Sequence, residues 1–336
     1  MTHGLLLINL GTPDAPTVTS VRKYLKEFLA DPRVITLAAP LRYLFLYALI
    51  LPFRPQRSAL AYQAIWTKEG SPLLTHGHRL VEKLQHYLGD NYHVVLGMRY
   101  GKPSLYDALM QLSHCDSLTI LPLYPQYSSA ATGSCVEKTL SLLRTTVTVP
   151  QLHLIRDFYQ HPGFIIPQSE QIKPYLATHD YLLLSFHGVP LNQLKPTHCK
   201  TLCVGNCPQP RTSNATCYRA QCFATSQAIA TQLNLNSDQY GVVFQSRLGH
   251  IEWIKPYLET TLPELATKKI KRLAISCPSF VTDCLETLEE IGIRANRQWQ
   301  TLGGEQLTLI PALNENDAWI KGILEICDIK LPSYTK

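Results

Sequence analysis

A histidine that ends a short apolar run is the residue of this chain best placed to do chemistry. The run Leu182–Phe186 predicts a buried strand, and Gly188-Val189-Pro190 ends it, so His187 lies at the carboxyl end of that strand. In open α/β sheets, ligands bind at this edge. An imidazole there can transfer protons near neutral pH or bind a metal. A hydrogen-bonded structural histidine is the alternative.

A second group of candidates consists of three glutamates that follow the seventh predicted strand. Glu286 and Glu290 are four residues apart, so they share one face of a helix, and Glu289 adds a third carboxylate. Such a row beside a cleft provides a path for a divalent cation. With His187, the set could take protons from a substrate and pass a metal to it. The structural alternative is a helix cap, because Asp283 and Glu286 have the spacing of a capping box.

Half of the ten cysteines are concentrated in one short segment. They are Cys199, Cys203, Cys207, Cys217 and Cys222. The amino terminus does not read as a secretory signal, so we expect a cytoplasmic protein whose cysteines are thiols or metal ligands. Dense thiolates favour Zn²⁺ or an iron–sulfur cluster, although the spacing does not match zinc-ribbon pairs. Clustered but unligated thiols are the alternative.

The elements that must position these residues are eight short apolar runs, predicted as strands. They are Gly4–Asn9, His93–Gly97, Ser117–Leu123, Leu152–Asp157, Asp180–Ser185, Tyr240–Gln245, Ile270–Ser276 and Gln306–Pro311. Helix-like stretches between them predict an α/β fold with parallel sheets flanked by helices. Four runs fall in each half, so we expect two similar domains at residues 1–160 and 161–312, followed by a helix and tail at 313–336.

Several functions are disfavoured. No Gly-x-Gly-x-x-Gly or Gly-x-x-x-x-Gly-Lys-Ser/Thr loop is present, so the phosphate loops for dinucleotides and nucleoside triphosphates are missing. The net charge of +6 comes without a basic run interleaved with aromatic residues, which argues against nucleic acid.

The segment Leu41–Leu51 is unusually apolar and lies between Pro40 and Pro52. A bilayer span needs roughly 20 apolar residues, about twice this length. The segment is therefore either a buried core helix or an exposed lip that contacts membrane or a flat hydrophobic ligand.

Spaced motifs along nearly the whole chain resemble the ferrochelatases of haem synthesis. The motifs are Asn9–Pro13, Tyr24–Val34, Gly70–Leu73, Met98–Gly101, Leu123–Ser128, Ser185–Pro190, Phe244–Arg247, Trp253 with Pro256, and Asp283–Leu288. The resemblance implies two Rossmann-like domains, each with a four-stranded parallel sheet, and a porphyrin cleft between them. The implied reaction is insertion of Fe²⁺ into protoporphyrin IX to form protohaem, the last step of haem biosynthesis.

The resemblance also implies roles for individual residues. His187 and Glu286 are the catalytic pair that handles pyrrole protons and metal, and Glu290 belongs to an acidic ridge that handles Fe²⁺. The positions that match the porphyrin pocket are Leu10, Ser71, Arg99, Tyr100, Tyr124 and Trp253. The apolar segment, within a lip at about residues 36–57, matches the part that dips into the inner membrane in membrane-associated members. The protein is expected to be a monomer or homodimer.

The cysteine-rich insert, at about residues 195–222, resembles that of bacterial ferrochelatases that carry a [2Fe–2S] cluster in the second domain. We predict Cys199, Cys203, Cys207 and Cys217 as the ligands, with Cys222 as the spare and Zn²⁺ as the alternative metal. Two alternative functions remain at this point. One is insertion of iron into coproporphyrin III, which has four carboxylates, and the other is a non-catalytic haem or iron–sulfur sensor with the same fold.

Overall fold

The computed structural model describes residues 2–197, 203, 207, 210, 214–247, 249 and 251–329. The chain divides into two compact units. Unit 1 contains the chain up to Tyr124, Ser129–Asp157 and the chain from Leu324, and unit 2 contains Pro125–Ser128 and Phe158–Ile323.

Unit 1 contains a parallel four-stranded sheet with the order β2-β1-β3-β4. Its strands are β1 His3–Asn9, β2 Tyr92–Met98, β3 Ser117–Pro122 and β4 Gln151–Leu154. Its helices are α1 Val18–Ala30, α2 Ala39–Phe45, α3 Leu51–Ile65, α4 Pro72–Leu88, α5 Leu105–Gln111 and α6 Ser134–Leu143. Side chains of α5 and the sheet form one core, in which Leu6, Ile8 and Ile120 are buried.

Unit 2 repeats this strand order as β6-β5-β7-β8, again with every pair parallel. Its strands are β5 Tyr181–His187, β6 Tyr240–Gln245, β7 Arg272–Ser276 and β8 Gln306–Leu309. The helices in this half of the chain are α7 Pro162–Leu176, α8 Tyr218–Gln232, α9 Leu258–Thr267, α10 Leu285–Thr287, α11 Asn296–Thr301 and α12 Asp317–Ile326. A 3₁₀ helix, Leu191–Thr197, follows β5.

The central strands are buried along nearly their whole length, which explains their continuous apolar sequence. Leu5–Ile8 in β1 and Leu183 and Leu184 in β5 have no exposed surface. Parallel sheets covered by helices require this pattern, because both faces of each strand are buried. The predicted α/β class with two four-stranded parallel sheets is confirmed.

Within the described residues, three π-helices interrupt the regular helices, and sequence periodicity did not predict them. They are Leu46–Ile50, Ser129–Gly133 and Leu288–Ala295. The last one lies between α10 and α11, where the spacing of Glu286 and Glu290 predicted an ordinary α-helix. β3 and β7 occupy the same place in their sheets, and each is followed along the chain by a π-helix. Such helices occur frequently at functional sites.

Candidate functional site

His187 is the last residue of β5, and its backbone is fixed by two side chains of unit 2. Its backbone N–H donates to Ser279 Oγ at 2.9 Å, and its carbonyl accepts from the Tyr218 hydroxyl at 2.8 Å. The imidazole Nδ1 lies 2.6 Å from the carbonyl oxygen of Gly188. Because a carbonyl can only accept, this contact assigns the proton to Nδ1 and leaves the Nε2 lone pair available for a proton or a metal ion.

The loop after His187 passes close to Trp253, and a glycine is needed for this approach. A Cβ atom at Gly188 would lie 2.8 Å from the carbonyl oxygen of Gln245 and 3.2 Å from Trp253 Cε3. Pro190 and Trp253 also form an antiparallel bridge. The structure therefore brings the predicted porphyrin contact Trp253 next to the predicted catalytic histidine.

The carboxylate of Glu286 is not used to cap its helix. The N-cap of α10 is Cys284, and its backbone N–H donates to Thr287 Oγ1 at 3.0 Å. Asp283 instead accepts from Thr287 Oγ1 at 2.9 Å and from Asn314 Nδ2 at 2.8 Å. The capping box that the sequence suggested for Asp283 and Glu286 is wrong, since the cap lies one residue later and uses Thr287.

Glu290 is held by the residue that follows β6. Ser246 donates its backbone N–H to Glu290 Oε1 at 2.8 Å and its hydroxyl to Glu290 Oε2 at 2.5 Å. Burial raises the pKa of the Glu290 carboxyl, and the contacts with Ser246, the positive charge of Arg294 and the charge that His187 carries when protonated oppose that rise. His187 is therefore within electrostatic reach of Glu290.

Gln245, the last residue of β6, connects α10, the helix that contains Glu286, to the sheet. Its Nε2 donates to the backbone carbonyl of Glu286 at 2.7 Å, and its Oε1 accepts from Ser185 Oγ at 2.6 Å. Gln245 and Ser185 are both buried, so this bond fixes the position of Glu286 relative to β5. Unit 2 thus places one imidazole with an available nitrogen and two carboxylates on a rigid frame.

The predicted porphyrin residues of unit 1 lie around the carboxyl ends of β1, β2 and β3. Backbone hydrogen bonds from Arg99 to Asn9 and from Tyr100 to Leu10 extend the β1–β2 pairing past the strands. Ser71 shares a 2.8 Å hydrogen bond with the Thr12 hydroxyl, which follows β1. Tyr124 follows β3, and burial raises the pKa of its hydroxyl well above its usual range.

Asp31 organises this part of unit 1, a role that its sequence neighbours did not predict. Its Oδ2 accepts from Arg99 Nη2 at 2.6 Å, from the Tyr100 hydroxyl at 2.8 Å and from Ser134 Oγ at 2.5 Å. Tyr100 has no exposed surface, and its hydroxyl anchors Asp31. Burial alone would raise the pKa of Asp31, but the hydrogen bonds and the Arg99 charge outweigh it and lower that pKa.

Replacing Asp31 with asparagine is expected to lower the free energy of unfolding by about 3 kcal/mol, because it leaves the Arg99 charge buried without a counter-charge. Since the pKa of Asp31 is lowered in the folded state, its stabilising effect is present at neutral pH. The stabilisation begins to decrease when the pH falls below the pKa of an aspartate in the unfolded chain. It is lost as the pH falls through the lowered pKa of Asp31 in the folded protein. Urea denaturation at pH 7 and in acid measures both effects. A loss below about 0.5 kcal/mol at pH 7 would contradict the assignment.

The apolar segment after α1 is helical, and much of it faces solvent. Its exposed apolar face consists of Leu41, Tyr43, Leu44, Phe45, Tyr47, Leu49, Phe53 and Leu60. Only Leu46 and Leu51 are buried among the leucines of this stretch, so the core-helix interpretation is wrong and the lip interpretation fits the exposure. Within the described ranges, no helix has the length and apolar character needed to cross a bilayer.

The cysteine-rich insert is described only in part. Cys199 lies outside the described residues, whereas Cys203, Cys207 and Cys217 lie within them. Arg219 Nη1 donates to Cys207 Sγ at 2.8 Å. Burial raises the pKa of the Cys222 thiol, and the charges of Cys217 and Cys207 add to that rise.

The part of the chain that the structure describes contains no group of three histidine, cysteine or acidic side chains arranged to hold a metal ion.

Comparisons with known proteins agree with the sequence motifs. A family model described as "Ferrochelatase" matches residues 2–331. A ferrochelatase of Legionella pneumophila (strain Lens) is 54% identical over 326 residues, which cover 97% of this chain and 98% of the relative. A ferrochelatase of Coxiella burnetii (strain Dugway 5J108-111) is 48% identical over 338 residues, which cover 98% and 94%.

Solved structures show the same fold at low sequence identity. SirB from Bacillus subtilis with Fe³⁺ has a TM-score of 0.52 and 8% identity, covering 97% of this chain and 96% of that protein. The sirohydrochlorin chelatase SirB from Bacillus subtilis subspecies spizizenii in complex with cobalt also has a TM-score of 0.52, at 7% identity. It covers 98% of this chain and 94% of that protein.

Proposed function

Because the chain belongs to the ferrochelatase family, we propose that it inserts Fe²⁺ into protoporphyrin IX to form protohaem, the last step of haem biosynthesis. The observation that carries this proposal is the arrangement in unit 2. His187 has an available Nε2, Glu290 lies within its electrostatic reach, and Gln245 fixes the backbone of Glu286.

The chemistry of insertion suits these groups. The porphyrin gives up two pyrrole protons as four nitrogen–metal bonds form, so charge balances when Fe²⁺ enters. His187 Nε2 accepts one pyrrole proton, since an imidazole is suited to proton transfer near neutral pH, and the Glu286 carboxylate accepts the other. Glu286 and Glu290 supply the hard oxygen ligands that replace water on Fe²⁺. Bending the ring opens its nitrogens to the metal, and strain of this kind typically amounts to about 1–5 kcal/mol.

We assign porphyrin contacts to side chains of each unit. The contacts of unit 1 are Leu10, Ser71 and Tyr124, and that of unit 2 is Trp253, whereas Arg99 and the buried Tyr100 act on the site through Asp31. Arg99 donates hydrogen bonds to Asp31 and Ser134 through two of its nitrogens. Its proposed role in porphyrin binding is therefore to hold the end of β2 in place. These assignments are supported by the motif matches and by the position of each residue beside a strand end.

The choice of porphyrin is tested by measuring kcat/KM for protoporphyrin IX and coproporphyrin III side by side. The exposed apolar face favours the less polar ring, so we expect protoporphyrin IX to give the higher value. A higher kcat/KM for coproporphyrin III would overturn this choice of substrate. Protein that binds haem but inserts iron into neither ring would support the sensor alternative.

We propose that the insert holds a [2Fe–2S] cluster through Cys199, Cys203, Cys207 and Cys217, with Zn²⁺ as the alternative. One contact of the described residues supports such a group. Arg219 Nη1 donates to Cys207 Sγ at 2.8 Å, and this guanidinium favours the thiolate, which is the form that ligates metals. A bound cluster would crosslink the insert.

If the insert holds a [2Fe–2S] cluster, the purified protein is coloured. Anaerobically purified protein is expected to absorb in the visible range and to contain about two iron atoms and two sulfides per chain, as the [2Fe–2S] composition requires. Cys207→Ser is expected to remove the colour, whereas Cys135→Ser, at a buried cysteine outside the insert, is expected to retain it. A colourless wild-type protein with one zinc per chain would overturn the cluster in favour of Zn²⁺.

We propose that the exposed apolar face contacts the surface of the inner membrane. The double substitution Leu44→Ser and Phe53→Ser is expected to weaken binding to neutral phosphatidylcholine vesicles by at least about tenfold, because each large apolar side chain contributes up to about 1.5–3 kcal/mol when fully buried. Co-sedimentation with vesicles measures this. A matched control is Leu140→Ser with Val147→Ser, two exposed apolar residues elsewhere in unit 1. Equal vesicle binding by both double variants would refute the membrane assignment.

A further inference from the structure

Tyr218, the first residue of α8, contacts the backbone of the catalytic histidine. Its hydroxyl donates to the carbonyl oxygen of His187 at 2.8 Å, and only 6% of Tyr218 is exposed. Burial raises the pKa of this hydroxyl well above its usual range, so the hydroxyl keeps the proton that it donates. Ser279 in turn accepts the backbone N–H of His187 at 2.9 Å. Tyr218 and Ser279 therefore hold both polar groups of the His187 backbone.

The sheet explains why these two side chains are needed. β5 pairs with β6 up to His187, but its pairing with β7 ends at Leu184, opposite Ser276. Beyond that point, no strand in the described part of the chain supplies hydrogen bonds on the β7 side of β5. A buried backbone N–H and C=O require partners, and the hydroxyls of Ser279 and Tyr218 supply them.

The imidazole itself has little other support. Among the residues that the structure describes, the only hydrogen bond of the His187 ring is the one to the neighbouring Gly188 carbonyl. Its one ring contact among these residues is the tilted packing against Phe280, with ring centroids 6.1 Å apart. The ring therefore takes its position mainly from the backbone, so an error in the backbone displaces Nε2 directly. A misplacement of about 1 Å at a reacting group can cost about 100-fold in rate.

We propose that Tyr218 is a positioning residue for His187: its hydroxyl replaces the missing strand partner and fixes the imidazole for proton transfer. The inference rests on the proposed iron insertion. It also gives the cysteine-rich insert a physical connection to the active site. Cys217 is the N-cap of α8, and Tyr218 and Cys222 lie in the first turns of the same helix.

The test is a comparison of kcat and KM in the Tyr218→Phe variant. Removing the hydroxyl leaves the His187 carbonyl unpaired but keeps the buried ring, so the unit remains folded. We expect kcat to fall about tenfold, which corresponds to about 1.4 kcal/mol in the barrier. The KM for protoporphyrin IX is expected to stay within about twofold, because this hydroxyl is assigned no contact with the ring.

Thr225→Val is the matched control, since it removes another buried hydroxyl on α8 that donates to a backbone carbonyl, that of Tyr159 at 2.8 Å. It is expected to leave kcat unchanged. Ser279→Ala is a second variant, which removes the hydrogen-bond acceptor of the His187 backbone N–H. It too should lower kcat. The Tyr218→Phe, Ser279→Ala double variant should lose less than the product of the two single losses, because both act on one peptide segment.

The outcomes separate this proposal from the proposed function. A wild-type protein that inserts no iron would overturn the function itself. A wild-type protein that inserts iron, together with a Tyr218→Phe variant of equal kcat, would overturn only the positioning role. Equal losses of kcat in Tyr218→Phe and Thr225→Val would also overturn it, because they would show a general effect of damaging α8.

Discussion

The His187→Ala variant is expected to lose iron insertion by about 10²–10⁴-fold while it still binds protoporphyrin IX. Positioned general acid–base groups typically contribute this much to a rate. His187 fits the role because its Nδ1 proton is directed to the Gly188 carbonyl, so Nε2 is the nitrogen that can accept a pyrrole proton or contact the metal.

The measurement pairs anaerobic turnover with porphyrin binding followed by fluorescence quenching. Binding is expected to change little, because the porphyrin contacts are assigned to other side chains. His153→Ala, at an exposed histidine in β4, is the control and should keep full activity. Near-normal turnover by His187→Ala would refute the role given to this residue.

The second large effect is expected at Glu286. The Glu286→Gln variant keeps the size of the side chain and the bond from Gln245 to the Glu286 backbone carbonyl, but it removes the negative charge. We expect kcat/KM for Fe²⁺ to fall about 100-fold, since an amide is a much weaker ligand and cannot accept a proton. The KM for the porphyrin should change much less.

Glu264→Gln is the control. It also removes one negative charge, but on α9 and not among His187, Glu286 and Glu290, so it should have no effect on iron insertion. If Glu286→Gln and Glu264→Gln had the same kcat/KM for Fe²⁺, the carboxylate at residue 286 would not handle the metal. An effect on porphyrin KM alone would instead give Glu286 a binding role.

The strands of this fold could be predicted from sequence because their apolar runs are continuous and bounded by turn residues. Even so, the end of β4 is set by the sheet: its pairing with β3 stops at Leu154, three residues before the predicted end. The placement of His187 at a strand end also followed from local pattern, since Gly188 and Pro190 mark where the strand stops.

Other features depend on contacts that local sequence does not encode. The π-helix Leu288–Ala295 has the residue types of an ordinary amphipathic helix, so periodicity alone predicts an α-helix there. Asp31 lies 68 residues from its partner Arg99, and nothing near it in sequence marks it as buried. Tyr218 reaches the carbonyl of a residue 31 positions away, and its role follows only from the point where β5 and β7 separate.

The most direct test of the account is anaerobic incubation of the purified wild-type protein with Fe²⁺ and protoporphyrin IX, with haem followed by its absorption spectrum. We predict catalytic formation of protohaem over many turnovers, and no more than the uncatalysed rate from the His187→Ala, Glu286→Gln double variant. A wild-type protein that binds the porphyrin but forms no haem above the uncatalysed rate would contradict the central claim.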